Sequence, residues 1–217
     1  MDYARARLNM VENQLRPNRI DDPRLIAVMG EVPRERFVPK ALRGVAYADE
    51  DLPLPDGNYL IEPLALARLI QAARITSKDV VLVIGCHTGY VGAVVAKLAG
   101  TVILVAPDES SGKQIESRLE ELGADNMVVV INPSPATGHP EQAPFDVILL
   151  AGSVEEVPKL LLDQLGERGR LAAVVDDGRI GKGTLFTRLH GVVGSRVMFD
   201  AQIPALTHLR KEIQFAF

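Results

Sequence analysis

The turn Gly85-Cys86-His87-Thr88-Gly89 follows the apolar run Val80–Ile84. A strand entering a glycine-rich turn lets the backbone approach a nucleotide-like ligand, with glycines where the approach is closest. The dinucleotide fingerprint needs G-x-G-x-x-G. Here His87 stands where a central glycine would be, which speaks against a nicotinamide or flavin cofactor. His87 itself reads as a loop histidine bonded to its neighbours before it reads as a pH-sensitive ligand group. Cys86 is the single cysteine, so it forms no intrachain disulfide and reads as a small buried filler, not a redox thiol. His139, His190 and His208 lack metal-ligand spacing, and no metal is expected. Asp176-Asp177-Gly178 could bind a cation but more simply makes a turn after a strand. Arg34, Glu35 and Arg36 read as ion pairs that hold an N-terminal cap to a core, and Tyr59 either covers a ligand or packs its own loop.

The elements that must hold this turn follow from periodicity. Leu8, Val11 and Leu15 recur at helical spacing up to Pro17, and Asp21-Asp22-Pro23 supplies an N-cap and first-turn proline for a second helix. A proline-rich loop over 51–63 leads to a helix carrying Leu64, Leu66, Leu69 and Ile70. Beyond Val80–Ile84 the chain alternates. Strands are expected at 102–105, 127–131, 147–150 and 171–175, with helices closing at Gly100 and Gly123 and another over 157–165. Continuous apolar strands between amphipathic helices predict a parallel sheet covered on both faces. After Gly183 shorter strands at 184–189, 197–201 and 213–217 predict an antiparallel edge. The whole is an α/β, Rossmann-like, mostly parallel doubly wound sandwich. It reads as one domain, with residues 1–62 as helical cap and active-site loop and 63–217 as core.

The 217 residues are 47% apolar and 24% charged, which is enough to bury a core. A net charge of -4 gives no electrostatic reason to expect nucleic acid or an anionic membrane. No apolar run reaches the length of a membrane span, and the first residues carry no signal-peptide pattern, so a cytoplasmic protein is expected.

The order of motifs resembles the protein-L-isoaspartate O-methyltransferase family, S-adenosylmethionine-dependent enzymes. The resemblance covers nearly the whole chain. It rests on Met10-Val11-Glu12-Asn13-Gln14, VPRERFVP (32–39), Ala46-Tyr47-x-Asp49, Leu52-Pro53, Ile84-Gly85-x-x-x-Gly89-Tyr90, GHPEQAPFD (138–146) and Gln164-Leu165-x-x-x-Gly169-Arg170-Leu171. It implies methylation of isoaspartyl carboxylates in damaged proteins. The cofactor positions it implies are Gly85, Cys86, His87 and Gly89; Asp108 could replace an acid missing at Ala106, but after Pro107 and before Ser110-Ser111 it reads more simply as a helix N-cap. The substrate pocket it implies is Tyr59, Ile61 and Glu62.

Several family positions differ. The family's L-E-I-G-x-G-S-G-Y has Val83 for its acid and His87 for its middle glycine. The acid expected to hold the ribose is Ala106, and a Gly-Asp-Gly near the adenine is Pro133-Ser134-Pro135. The family's T-I-S-Q-P reads Tyr59-Leu60-Ile61-Glu62-Pro63, with Ile61 at its serine and Glu62 at its glutamine, so no catalytic side chain is assigned. Charge-assisted hydrogen bonds to a ribose are worth about 1.5–3 kcal/mol each. Losing the acid therefore predicts donor binding weaker by roughly tenfold to more than a hundredfold. Weak or absent S-adenosylmethionine binding is the expectation. The alternative is a non-catalytic relative that keeps the fold as a binding or assembly module.

Overall fold

The computed structural model describes residues 2–54 and 57–209. The N-terminal cap begins with α1 (Tyr3–Met10), whose first turn is capped by the Asp2 carboxylate. The chain does not stop at Pro17. It continues through a wider π-helical turn (Val11–Leu15) and a 3-10 turn (Arg16–Asn18) that accommodates the proline at an early position, where its missing N–H is not needed. The second helix, α2 (Pro23–Glu31), has the expected cap, with Asp22 accepting from the amides of Arg24 and Leu25. A short hairpin of β1 (Leu52–Pro53) and β2 (Tyr59–Leu60) then delivers the chain to α3 (Pro63–Ala73).

The core alternates as expected. It runs β3 (Val80–Ile84), α4 (Tyr90–Ala96), β4 (Thr101–Ala106), α5 (Glu109–Glu120), β5 (Met127–Ile131), β6 (Phe145–Val154), α6 (Lys159–Asp163), β7 (Leu165–Val175), β8 (Lys182–Leu189) and β9 (Val192–Asp200). The seven strands lie in the order β5-β4-β3-β6-β7-β8-β9. The first five are parallel, and β8 and β9 form the antiparallel edge. Crossovers carry the chain outward from β3 to β5 and then back to β6, so the strand order switches between β3 and β6.

Several boundaries differ from the sequence reading; the strand expected over 197–201, for one, runs Val192–Asp200, because its whole length pairs with β8. The helix expected over 157–165 is only Lys159–Asp163, because Pro158 sits at its start and Leu165 already pairs with Phe145. The next strand therefore begins at Leu165 and tolerates Gly166 through a register shift. The strand expected over 147–150 runs on to Val154, past Gly152 and Ser153, and this extension supplies one wall of the site. The strand expected at 213–217 lies outside the described residues.

Two apolar clusters fill the two faces of the sheet. One joins Val81, Val83, Leu104 and Val147 to α3, α4, α5 and the cap. The other joins Leu82, Ile84, Val105, Ile148 and Leu150 to Leu161 and to Leu206 and Leu209 of the C-terminal segment. Polar staples fix the ends. Asp146 accepts from the Val80 amide at the start of β3, and Asp79 is bridged by Arg170 from β7.

Candidate active site

The cleft lies where the carboxyl ends of β3 and β6 adjoin. The turn leaving β3 has the backbone that only glycine adopts easily, with φ of +85° at Gly85 and +90° at Gly89. Between them the Thr88 hydroxyl accepts from the Tyr90 amide and starts α4. Cys86 is buried beneath this turn, and burial pushes its thiol pKa up, so a reactive thiolate is disfavoured. Gly89 packs against Phe37 and Ile115.

A cavity of ≈ 430 Å³ opens on this turn, lined by Asp51, Asn58, Tyr59, Ile61, His87, Ala151 and the backbone and side chains of 204–207. That is the size range of small-ligand pockets. Three residues named from sequence, Tyr59, Ile61 and His87, thus meet in one place. Tyr59 is 41% exposed at the rim, whereas Ile61 is 2% exposed at the wall. The Ile61 carbonyl is held by Arg34, so the VPRERFVP stretch fixes this wall instead of touching the cavity. Glu35 and Arg7 close on the Tyr47 hydroxyl, and Arg36 pairs with Glu121, tying the cap to the core.

Glu62 does not line the cavity. Its amide donates to Asp51, and its carboxyl is pushed up to about 7 by burial first and by Asp49 and Asp51 next. The carboxylate that does face the cavity is Asp51, also raised by burial. For Glu62 the folded chain holds its proton more tightly than the unfolded chain does. Stability therefore falls as pH rises from about 4.5 to about 7 and levels off above that. Glu62→Gln is expected to be more stable than the parent at pH 8, by on the order of 1 kcal/mol after allowance for solvent screening. The advantage should vanish near pH 4, and urea unfolding across that range reads it.

Asp108 lies elsewhere. Its two carboxylate oxygens accept from the Ser111 amide and hydroxyl, capping α5, and it lines none of the cavities around the cleft. Ala106 is fully buried within the α5-side cluster, and Val105 is the β4 residue that faces the cleft. Among the described residues, no three carboxylate, histidine or cysteine side chains are grouped to hold a metal, and no helix is long and apolar enough to cross a membrane.

Sequence reasoning missed the C-terminal segment. Residues 203–209 lie along the end of β6, and Leu206 is seated on both Gly85 and Gly152. A Cβ built on Gly85 would stand 2.5 Å from the Leu206 side chain, and one on Gly152 2.6 Å from it. Between Ile84, Gly85, Val105, Pro135, Leu206 and Leu209 only ≈ 20 Å³ remains, about enough for one water molecule. The Leu206 side chain thus fills the space next to the glycine turn on this side of β3 and β4. The only available sequence signal was a short apolar run with a proline, Ile203-Pro204-Ala205-Leu206, directly after the hairpin.

The family model for protein-L-isoaspartate(D-aspartate) O-methyltransferase matches residues 6–197. A protein-L-isoaspartate O-methyltransferase of Methanoculleus marisnigri is 38% identical over 171 residues, covering 79% of this chain and 77% of its own. Another, from Gloeobacter violaceus, is 36% identical over 202 residues, covering 91% of this chain and 97% of its own. Among solved structures, a protein-L-isoaspartate O-methyltransferase superposes with a TM-score of 0.80 at 23% identity, over 92% of this chain and 65% of that one. A Plasmodium falciparum counterpart in complex with S-adenosyl-L-homocysteine gives 0.77 at 20%, over 93% and 98%. At these identities the two structures speak for the fold.

Proposed function

This chain belongs to the protein-L-isoaspartate(D-aspartate) O-methyltransferase family, and from that premise we propose that it methylates isoaspartyl carboxylates of damaged proteins with S-adenosylmethionine as donor, held weakly. The observation that carries the reading is the meeting of Tyr59, Ile61 and His87 with the turn after β3 in a single cavity at the strand switch. Transfer of a methyl group from a sulfonium to a carboxylate needs no general base, so the protein's task is to align the reactants and keep water out. Ile61 in the family's serine position is compatible with that task. The buried wall it forms excludes water, and Arg34 locks its backbone. His87 lines the cavity floor and Tyr59 its rim. Weak donor binding is supported by Ala106 in place of an acid and by Leu206 on the glycine seat. None of the relatives favours the non-catalytic alternative. The reading extends to one domain, with 1–62 as cap and 63–217 as core, acting in the cytoplasm.

The direct experiment is transfer of a labelled methyl group to an isoaspartyl peptide, with the aspartyl peptide as control. Base-labile label on the isoaspartyl peptide alone is expected, and no transfer at millimolar donor would defeat the reading. Tyr59→Ala should reduce kcat/KM for the peptide by roughly tenfold, equivalent to ~1.4 kcal/mol of transition-state alignment. Because the ring is partly exposed, the thermal midpoint should stay nearly unchanged.

A further inference from the structure

We infer that residues 203–209 are an intramolecular competitor of the methyl donor, a strap that must leave Gly85 before an adenosyl group can enter. The inference rests on the proposed donor chemistry and goes beyond it in naming what controls access to the cleft.

The strap is built into the end of β6. Ser153 pairs with Ala205 as a parallel bridge. The Ser153 amide donates to the Pro204 carbonyl at 2.9 Å, the Leu206 amide donates to the Ser153 carbonyl at 2.8 Å, and the Ser153 hydroxyl donates to the Ile203 carbonyl at 3.0 Å. These bonds extend the sheet by one short edge at the strand switch, the place where this class of sheet takes ligands. The two leucines of the strap point inward. Leu206 and Leu209 join the cluster of Ile84 and Val105, and Leu206 lies on two glycines at distances that no Cβ would permit. A leucine occupies the approach that a glycine turn otherwise leaves for a ligand.

The fastening is local. It depends on one serine and two leucines, so its release is a sub-global opening that leaves the seven-stranded sheet intact. The ≈ 430 Å³ cavity on the other side of the strap stays open, bounded in part by Pro204, Ala205 and Thr207. The strap therefore closes the donor side while leaving the acceptor side accessible. Donor meets only the fraction of molecules whose strap is released, and its observed dissociation constant rises by the inverse of that fraction. The residues matched to the family end at 197, before the strap begins.

The test titrates the full chain with S-adenosylhomocysteine by calorimetry and follows amide exchange at Ser153 and Leu206. Leu206→Ala removes the side chain on Gly85 and Gly152. Ser153→Ala removes one bond to the strap while leaving the apolar packing in place, so it serves if the first variant folds poorly. The expected result is affinity at least tenfold tighter in Leu206→Ala and severalfold tighter in Ser153→Ala, with faster exchange of the parent's Leu206 amide when ligand is added. Equal binding by parent and variants, with exchange unchanged, overturns the strap and leaves the donor reading standing. No binding by any of the three overturns both.

Discussion

Arg34→Ala is expected to destabilise the folded chain by about 3–5 kcal/mol, seen as a lower urea midpoint with an unchanged slope. Arg34 is completely buried, and among the described residues no carboxylate pairs with it. Its guanidinium instead spans two backbone carbonyls, donating from Nε to Ala46 and from Nη2 to Ile61, each at 2.7 Å. It also lies 4.9 Å from the centroid of the Tyr90 ring. Two effects oppose each other on removal. Loss of a buried cation relieves a desolvation cost, and burial does pull this guanidinium's pKa down. Against that, two buried carbonyls lose charge-assisted bonds with no water to replace them, and the vacated space stays empty. The second effect wins because the carbonyls cannot leave. Arg34→Lys should recover little, since a point-like ammonium cannot fork to both carbonyls. A loss below 1 kcal/mol for the alanine variant would show that the wall at Ile61 stands without this support.

A comparable loss, about 3–5 kcal/mol, is expected from Gly138→Ala. Gly138 has φ of 65° and ψ of −136°, a conformation essentially reserved for glycine. An added Cβ would stand 2.5 Å from Gln164 Oε1 and 2.8 Å from Leu161. Gln164 cannot give way cheaply. Its carbonyl oxygen accepts from the His139 amide, and its amide nitrogen donates to the carbonyls of Thr137 and Leu160. Thermal unfolding measures the loss. Gln164→Ala in the same background should cost less than it does alone, because the two changes break one shared set of bonds. Full additivity would mean that the glycine serves its backbone conformation only.

These two cases show what a motif can and cannot tell. VPRERFVP and GHPEQAPFD were legible as family signatures, and the ion pairs expected of Glu35 and Arg36 form, but the work of Arg34 and Asp146 was not legible. Arg34 reads as an ion-pairing residue that holds the cap to the core, until the fold brings the carbonyls of Ala46 and Ile61 to it across 12 and 27 positions. Asp146, named from sequence only as the last residue of GHPEQAPFD, accepts from the amide at the start of the first buried strand, 66 positions earlier. Strands and helices with strong apolar periodicity were found where expected, because their signal is local. Boundaries drifted at Pro158 and Gly166, where pairing with a distant strand outweighed local preference.

The sequence alone determined the class of sheet, the place of the glycine turn, the family, and the absence of an acid at Ala106, since each depends on residue type and spacing along the chain. Tertiary structure decided what those residues meet. It left Glu62 out of the cavity's lining while placing Asp51 in it, and laid Leu206 on Gly85. No local pattern encodes the Leu206–Gly85 contact, because it joins positions 121 residues apart and is fixed only when β3 and β6 lie side by side.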